Sequence, residues 1–428
     1  MNQTIVSGAT METCDGRRQN ALSMLLVLAA AVAFLLRFGL SPQLMDRVVG
    51  YTTPGGAFYE KLHFGTDAIF IVCIAAFIVR PVRLWGEDIR TFSALLRYCL
   101  LVAALVPYLV IAGRAGSAGF VIDTYLVAGA AGLLMLTFDA ARRRLLGDTV
   151  VVMILVSAIL GIVEAISHHR ILPYDLVELE FRPIGLTVHP LAQGALCATG
   201  IGFAAASRWR LWLRIAAIAI LFIGCATSGA RIALLVSVAE IIALIVLLRW
   251  PGLSRRHQWQ AKGAVLLFVT VAGAALAAAM FAAGLLNRFG QSLFDENFMA
   301  RVTIYRVFDY VGWKEILFGM RADDLLAIVH EQLHLPAIES AVVVIVLLFG
   351  IPLTLLFVML VGWMFYRLLR HAPMAAWIGT ITFLLAAVTN NTLSSKTPEI
   401  AMLFVLLLAY GDQPALSTTS ARPRRLSV

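Results

Sequence analysis

Ala341-Val-Val-Val-Ile-Val-Leu-Leu-Phe-Gly350-Ile-Pro-Leu-Thr-Leu-Leu-Phe-Val-Met-Leu-Val-Gly-Trp363 contains no charged side chain. In an α-helix about 20 apolar residues cross the ~30 Å hydrocarbon core of a bilayer, so this stretch reads as a membrane span. Outward from it, further apolar runs stand near 21–36, 62–79, 95–112, 118–138, 149–167, 191–206, 213–227, 232–248, 263–286, 375–388 and 397–410. Of the 428 residues 61% are hydrophobic and 14% charged, too little charge to cover a soluble domain of this length. The expectation is an all-α polytopic membrane protein with about 12 transmembrane helices. A single transmembrane domain covers 21–410, with a polar N-tail over 1–20 and a C-tail over 411–428. One long loop, 287–338, separates the ninth and tenth spans. The first run follows Arg17 and Arg18 like a signal peptide, but the many spans behind it favour a retained helix.

The net charge of +9 is no nucleic-acid signature, because the basic residues fall in short clusters between apolar runs. Of the 34 Lys and Arg, 21 lie in the N-tail, the C-tail and every second connection, including Arg142-Arg143-Arg144, Arg208, Arg210, Arg214, Arg255 and Arg256. The alternate set holds the other 13 despite containing the longest loop. The positive-inside rule makes the richer side cytoplasmic and places both termini there, as in a multi-pass protein of a bacterial inner membrane. The five cysteines, Cys14, Cys73, Cys99, Cys197 and Cys225, show no CxxC spacing and read as small apolar residues.

The outer basic residues are the informative ones. Arg231 follows Thr227-Ser-Gly-Ala at the head of a span. A helix N-terminus already carries free N–H groups and partial positive charge, so an added guanidinium suits an anion such as phosphate. Arg182 sits in Phe181-Arg-Pro-Ile-Gly-Leu-Thr-Val-His-Pro190, whose prolines and glycine dictate a turning backbone. Arg301 and Arg306 fall in an amphipathic stretch reaching Trp313, which suits a surface helix. Five residues apart, they point roughly 140° from each other on a helix, so one faces substrate while the other pairs with Asp309 or Tyr310 or snorkels. His330-Glu331-Gln-Leu-His334 matches HExxH, whose histidines share a helix face for zinc. Pro336 is placed to end that helix, and no third ligand stands at a familiar spacing. Glu240 lies in mid-span, where a carboxylate is costly and faces the protein interior. Asp123 and Glu164, nearer the outer edge, are expected to be easier to solvate.

Taken in order, Arg182-Pro-Ile-Gly-Leu-Thr-Val-His-Pro190, Ser228-Gly-Ala-Arg231-Ile-Ala-Leu-Leu235, Arg301 with Trp313 and Phe318-Gly319, and Ile338-Glu339-Ser340 before Phe349-Gly350-Ile351 form a pattern over residues 180–360. It resembles the O-antigen ligase and Wzy-type polysaccharide polymerase superfamily. The resemblance implies a GT-C-like membrane fold and metal-independent glycosyl transfer, with no cofactor, at the periplasmic face. The donor would be an oligosaccharide on undecaprenyl diphosphate, and the partners membrane lipid, a flippase and a chain-length regulator. The family's diphosphate-binding arginines carry over to Arg231 and, behind it, to Arg301 and Arg182. Ligases of the family place a His-Asn pair eleven residues before the glycine of the next span, where this chain has Glu339-Ser340. That departure favours polymerisation of exopolysaccharide or O-antigen repeat units over ligation. Gly319-Met-Arg321 also lacks the second glycine often found in that loop.

The chemistry agrees with this pattern. A diphosphate leaving group needs fixed positive charge where its own charge develops. The acceptor hydroxyl needs a base, for which Glu339 is the first candidate and His330 or His334 the second. Two other classes remain in view: a secondary transporter coupled through Glu240, and a zinc protease built on HExxH.

Overall fold

A computed structural model describes residues 5–53, 57–79, 84, 86–174, 181–250, 252–282, 296–335, 338 and 340–411. The chain is 80% helical, with no strand among the described residues. It opens with α1 (Ile5–Gly39), α2 (Pro42–Val49), α3 (Phe64–Val79) and α4 (Glu87–Ile111). The short α5 (Ala118–Phe120), a π-helical turn at Val121–Leu126 and α6 (Val127–Leu136) then run as one rod. Next come α7 (Ala140–Ser167), α8 (Pro190–Ala206), α9 (Leu211–Thr227), α10 (Arg231–Leu247) and α11 (Arg255–Ala282). The long loop carries α12 (Glu296–Thr303), a 3-10 segment at Ile304–Asp309, α13 (Trp313–Phe318) and α14 (Ala322–Gln332). Last are α15 (Ala341–Phe349), α16 (Ile351–Leu369), α17 (Met374–Val388) and α18 (Glu399–Tyr410).

A helix stands at each apolar run, and among the described residues six helices are long and apolar enough to cross a membrane. Leu28, Ile74, Leu100, Ile159, Phe268 and Leu356 face outward and are exposed. For a chain in water that distribution is inside out; for one solvated by lipid it is ordinary. The protein is a helical membrane protein. Its centre is formed by α6 and α18, buried at every position, and by α8, which packs against α7, α9, α10 and α17. α11 is almost entirely outward-facing. α1 continues past the apolar run into the polar tail, since no proline interrupts residues 5–39.

The polar connections gather at two opposite faces. At one, Arg143 pairs with Asp88 at 2.6 Å, Arg367 and Arg370 with Glu87 at 2.5 and 2.6 Å, and the Tyr410 hydroxyl donates to Asp148 at 2.5 Å. These bonds tie the connections ahead of α4, α7 and α17 to the end of α18. At the other face, Lys396 Nζ donates to the carbonyl oxygens of Tyr51 and Lys61, each at 3.0 Å, and Gln43 donates to Val188 O at 3.0 Å. Thr124 Oγ1 reaches Ser395 O there at 2.6 Å.

The run 341–363 is not one continuous helix, as its composition suggests, but two. Gly350 (φ 80°) ends α15, and Pro352 stands in the first turn of α16. The break leaves carbonyl groups without helical partners. Met320 N–H donates to Leu347 O at 2.7 Å, and Arg114, just beyond α4, donates to Leu348 O at 3.1 Å. At the other end of α15, Ala341 N–H donates to Asn390 O at 3.1 Å, just beyond α17. Both ends of α15 are therefore fastened at the face where α4 and α17 finish, and α16 alone runs on to the Glu87 cluster. Gly319 (φ 82°) and Gly350 sit back to back: a Cβ on Gly350 would overlap the Leu317 carbonyl, and one on Gly319 would come 2.6 Å from Leu348 O. The two Phe-Gly pairs of the sequence pattern thus meet, with a helix break as their product.

Candidate functional site

Arg182 is placed by a chain of backbone contacts. α7 ends at His168 in the left-handed region (φ 53°), and the carboxylate of Glu164, one turn earlier, collects the returning loop. Glu164 Oε1 accepts from Ile171 N–H at 2.9 Å, while Oε2 accepts from Ile184 and Gly185 N–H at 2.8 and 2.9 Å. Glu164 is fully buried, against the expectation that water would solvate it; three amide donors do that instead. Arg170 donates through Nε and Nη2 to the Arg182 carbonyl at 3.0 and 2.9 Å, with its guanidinium 4.0 Å from the Tyr174 ring centroid. Arg182, itself buried, donates from Nε to Ser228 O at 3.2 Å. Ser228-Gly-Ala230 is the turn joining α9 to α10, and Arg231 is the first residue of α10. Two arginines singled out from the sequence, 49 positions apart, are thus brought to one turn. His189 caps α8, its Nδ1 accepting from Leu191 N–H at 3.2 Å.

The remaining expected residues lie in the long loop. Arg301 lies in the last turn of α12, half-buried, while Arg306, on the 3-10 segment, is exposed and forms no ion pair with Asp309. A single α-helix through Arg301–Trp313 was expected; the backbone tightens at Ile304, and Ile304 and Val307 turn inward to anchor it. Tyr305 is linked to Ser340 at the head of α15 at 3.4 Å. Glu339 lies outside the described residues. His330 is in the last turn of α14, but the helix ends at Gln332 and His334 takes φ 55°. The two histidines therefore do not share a helix face, so the geometry behind the zinc reading is not formed. Both are exposed, and no group of metal-ligating side chains occurs among the described residues.

A cavity of about 720 Å³ opens at the face where Lys396 meets Tyr51. Tyr174 and Val188 of the Arg182 loop form one side, Lys61 and Lys396 another, and Asp323 and Leu326 of α14 a third. Positions 323, 326 and 330 follow one another on one helix face, which puts His330 one turn beyond the cavity wall. None of Arg182, Arg231, Arg301 and Arg306 is among the lining residues.

Beneath the cavity lies a polar cluster that reading the sequence missed. Asp123, expected near water, is fully buried: Oδ2 accepts from the Tyr51 hydroxyl at 2.9 Å and Oδ1 from His63 N–H at 3.3 Å. Arg37 donates to the Asp123 carbonyl at 2.7 Å. Burial and the Asp123 carboxylate push the Tyr51 phenol above its ordinary pKa, which keeps it a donor. Arg37 and Glu399 line a small enclosed cavity of about 20 Å³ beside Thr187 and Val188. Arg37, Lys61 and Lys396 belong to the same poorer set of outer basic residues as Arg182; only their contacts distinguish them. Glu240 is buried as expected, facing Thr382 of α17 and the backbone of Gly202 in α8 without a hydrogen bond of good geometry to either.

The fold and this face define a helical membrane protein with cationic side chains in the wall of a large cavity. Comparison with models of known protein families and with curated proteins gives no match.

Proposed function

We propose that the protein polymerises glycan repeat units at the periplasmic face of a bacterial inner membrane, using donors linked to undecaprenyl diphosphate. In this reading the chain crosses the bilayer twelve times with both termini cytoplasmic, and the Arg182–Arg231 turn and the large cavity open outward. The observation that carries the proposal is the bond from Arg182 to Ser228, which fixes a buried guanidinium at the turn where Arg231 begins α10. Two guanidinium groups and the N-terminus of a helix suit a leaving diphosphate.

The acceptor hydroxyl oxygen attacks the anomeric carbon of the donor as the bond from that carbon to the diphosphate oxygen breaks. The hydroxyl proton passes to Glu339 or to His330, and the diphosphate leaves on its lipid. The adjoining cavity has room for sugar residues. Arg231→Ala is expected to abolish polymer and leave single repeat units on their lipid, with Arg231→Lys retaining part of the activity. Extraction and sizing of the lipid-linked glycans reads this directly, and normal chain length in Arg231→Ala overturns the proposal.

A further inference from the structure

Two ammonium groups share one wall of the 720 Å³ cavity. Lys396 comes from the loop ahead of α18, and Lys61 ends the 3-10 turn Phe58–Lys61. Lys396 Nζ donates to Tyr51 O and Lys61 O, each at 3.0 Å, and sits 4.4 Å from the Tyr51 ring centroid. Lys61 Nζ donates to the Thr53 carbonyl at 2.6 Å and to Thr53 Oγ1 at 2.9 Å. Among the described residues each ammonium thus has two acceptors for its three N–H groups, and neither forms an ion pair. The carboxylates in the wall take their short contacts from other groups: Asp46 accepts from Thr52 N–H at 2.6 Å and Thr52 Oγ1 at 2.5 Å, and Asp323 faces Arg321 at 3.5 Å. Burial lowers the pKa of Lys396, the carboxylates of Asp123 and Asp46 oppose that shift, and the neighbouring Lys61 adds to it. Two like charges held together in a half-buried wall repel each other, and an entering oxyanion relieves that repulsion.

We infer that this cavity binds an oxyanion carried by the glycan, gripped by Lys61 and Lys396, so that the repeat unit handled here is an acidic one. The glycan part rests on the function proposed above; the anion site does not. The stem of Lys396 passes Gly119, where an added Cβ would stand 2.9 Å from Lys396 Cε. Gly119→Ala therefore displaces this ammonium while keeping every charge.

The test titrates the purified full-length protein in detergent with glucuronate, inorganic pyrophosphate and, as a neutral control, glucose. Binding is followed by the thermal unfolding midpoint. Glucuronate is expected to bind where glucose does not, and both Lys61→Gln and Gly119→Ala are expected to weaken it about tenfold or more. If Lys61→Gln does not fold, Gly119→Ala still decides. Pyrophosphate binding without glucuronate binding overturns the acidic-sugar assignment. Binding of neither anion, or equal binding in wild type and variants, overturns the site. Because no polymer is measured, failure here is distinguishable from normal polymer length in Arg231→Ala.

Discussion

At the scale of single residues, the buried carboxylates show how lipid-embedded helices hold irregular loops. Glu164 replaces water for the amides of Ile171, Ile184 and Gly185, and thereby sets the path of the backbone to Arg182. Glu164→Gln changes one acceptor oxygen into an NH₂ group and turns a donor against a donor. The expected cost is about 2 kcal/mol, seen as a lower unfolding midpoint; an unchanged midpoint would show that the loop does not depend on these bonds. Arg182 and Arg231 were legible in the sequence, because guanidinium groups at the edges of apolar runs are costly without a purpose. Their meeting at Ser228 was not, since it joins side chain to backbone across 46 residues. Lys61 and Lys396 were hidden for the same reason: what marks them is a shared wall formed by segments 335 residues apart.

At the scale of elements, hydrophobic length located the helices but not their interruptions. The run 341–363 has the composition of a single span, and its Gly350-Ile-Pro352 break signal carries no weight in a count of apolar residues. The break holds because Gly319 supplies a second left-handed residue against it, and because Arg114 and Met320 satisfy the freed carbonyl groups. The HExxH spacing meets a related limit: it puts both histidines on one face only while the helix continues, which α14 does not beyond Gln332. Gly350→Ala places a side chain in the left-handed region and against the Leu317 carbonyl, at an expected cost of about 3 kcal/mol. Arg114→Ala should leave Leu348 O without its donor at a cost of about 1–2 kcal/mol. Thermal unfolding of the two variants ranks these costs, and the reverse order would mean that the guanidinium, more than the glycine backbone, maintains the break.

At the scale of the whole molecule, two polar faces enclose an apolar belt, and their bonds join connections that alternate along the chain. The face that binds Glu87, Asp88 and Asp148 collects connections from the set richer in Lys and Arg. The face with the large cavity collects the poorer set. Charge counting and three-dimensional contacts sort these connections alike. In the orientation we propose, Thr53 faces the periplasm and Arg370 the cytoplasm. In a background with all five native cysteines replaced by serine or alanine, Thr53→Cys is expected to react with a membrane-impermeant maleimide in cells whose outer membrane alone is permeabilised. Arg370→Cys is expected to react only after the inner membrane is opened. Interchanged reactivity would invert the protein in the bilayer and place both the Arg182–Arg231 turn and the cavity in the cytoplasm, where no periplasmic polymerisation could occur. Reaction of both positions from one side would mean that the two faces do not lie on opposite surfaces of one membrane, and the span count would fail with it.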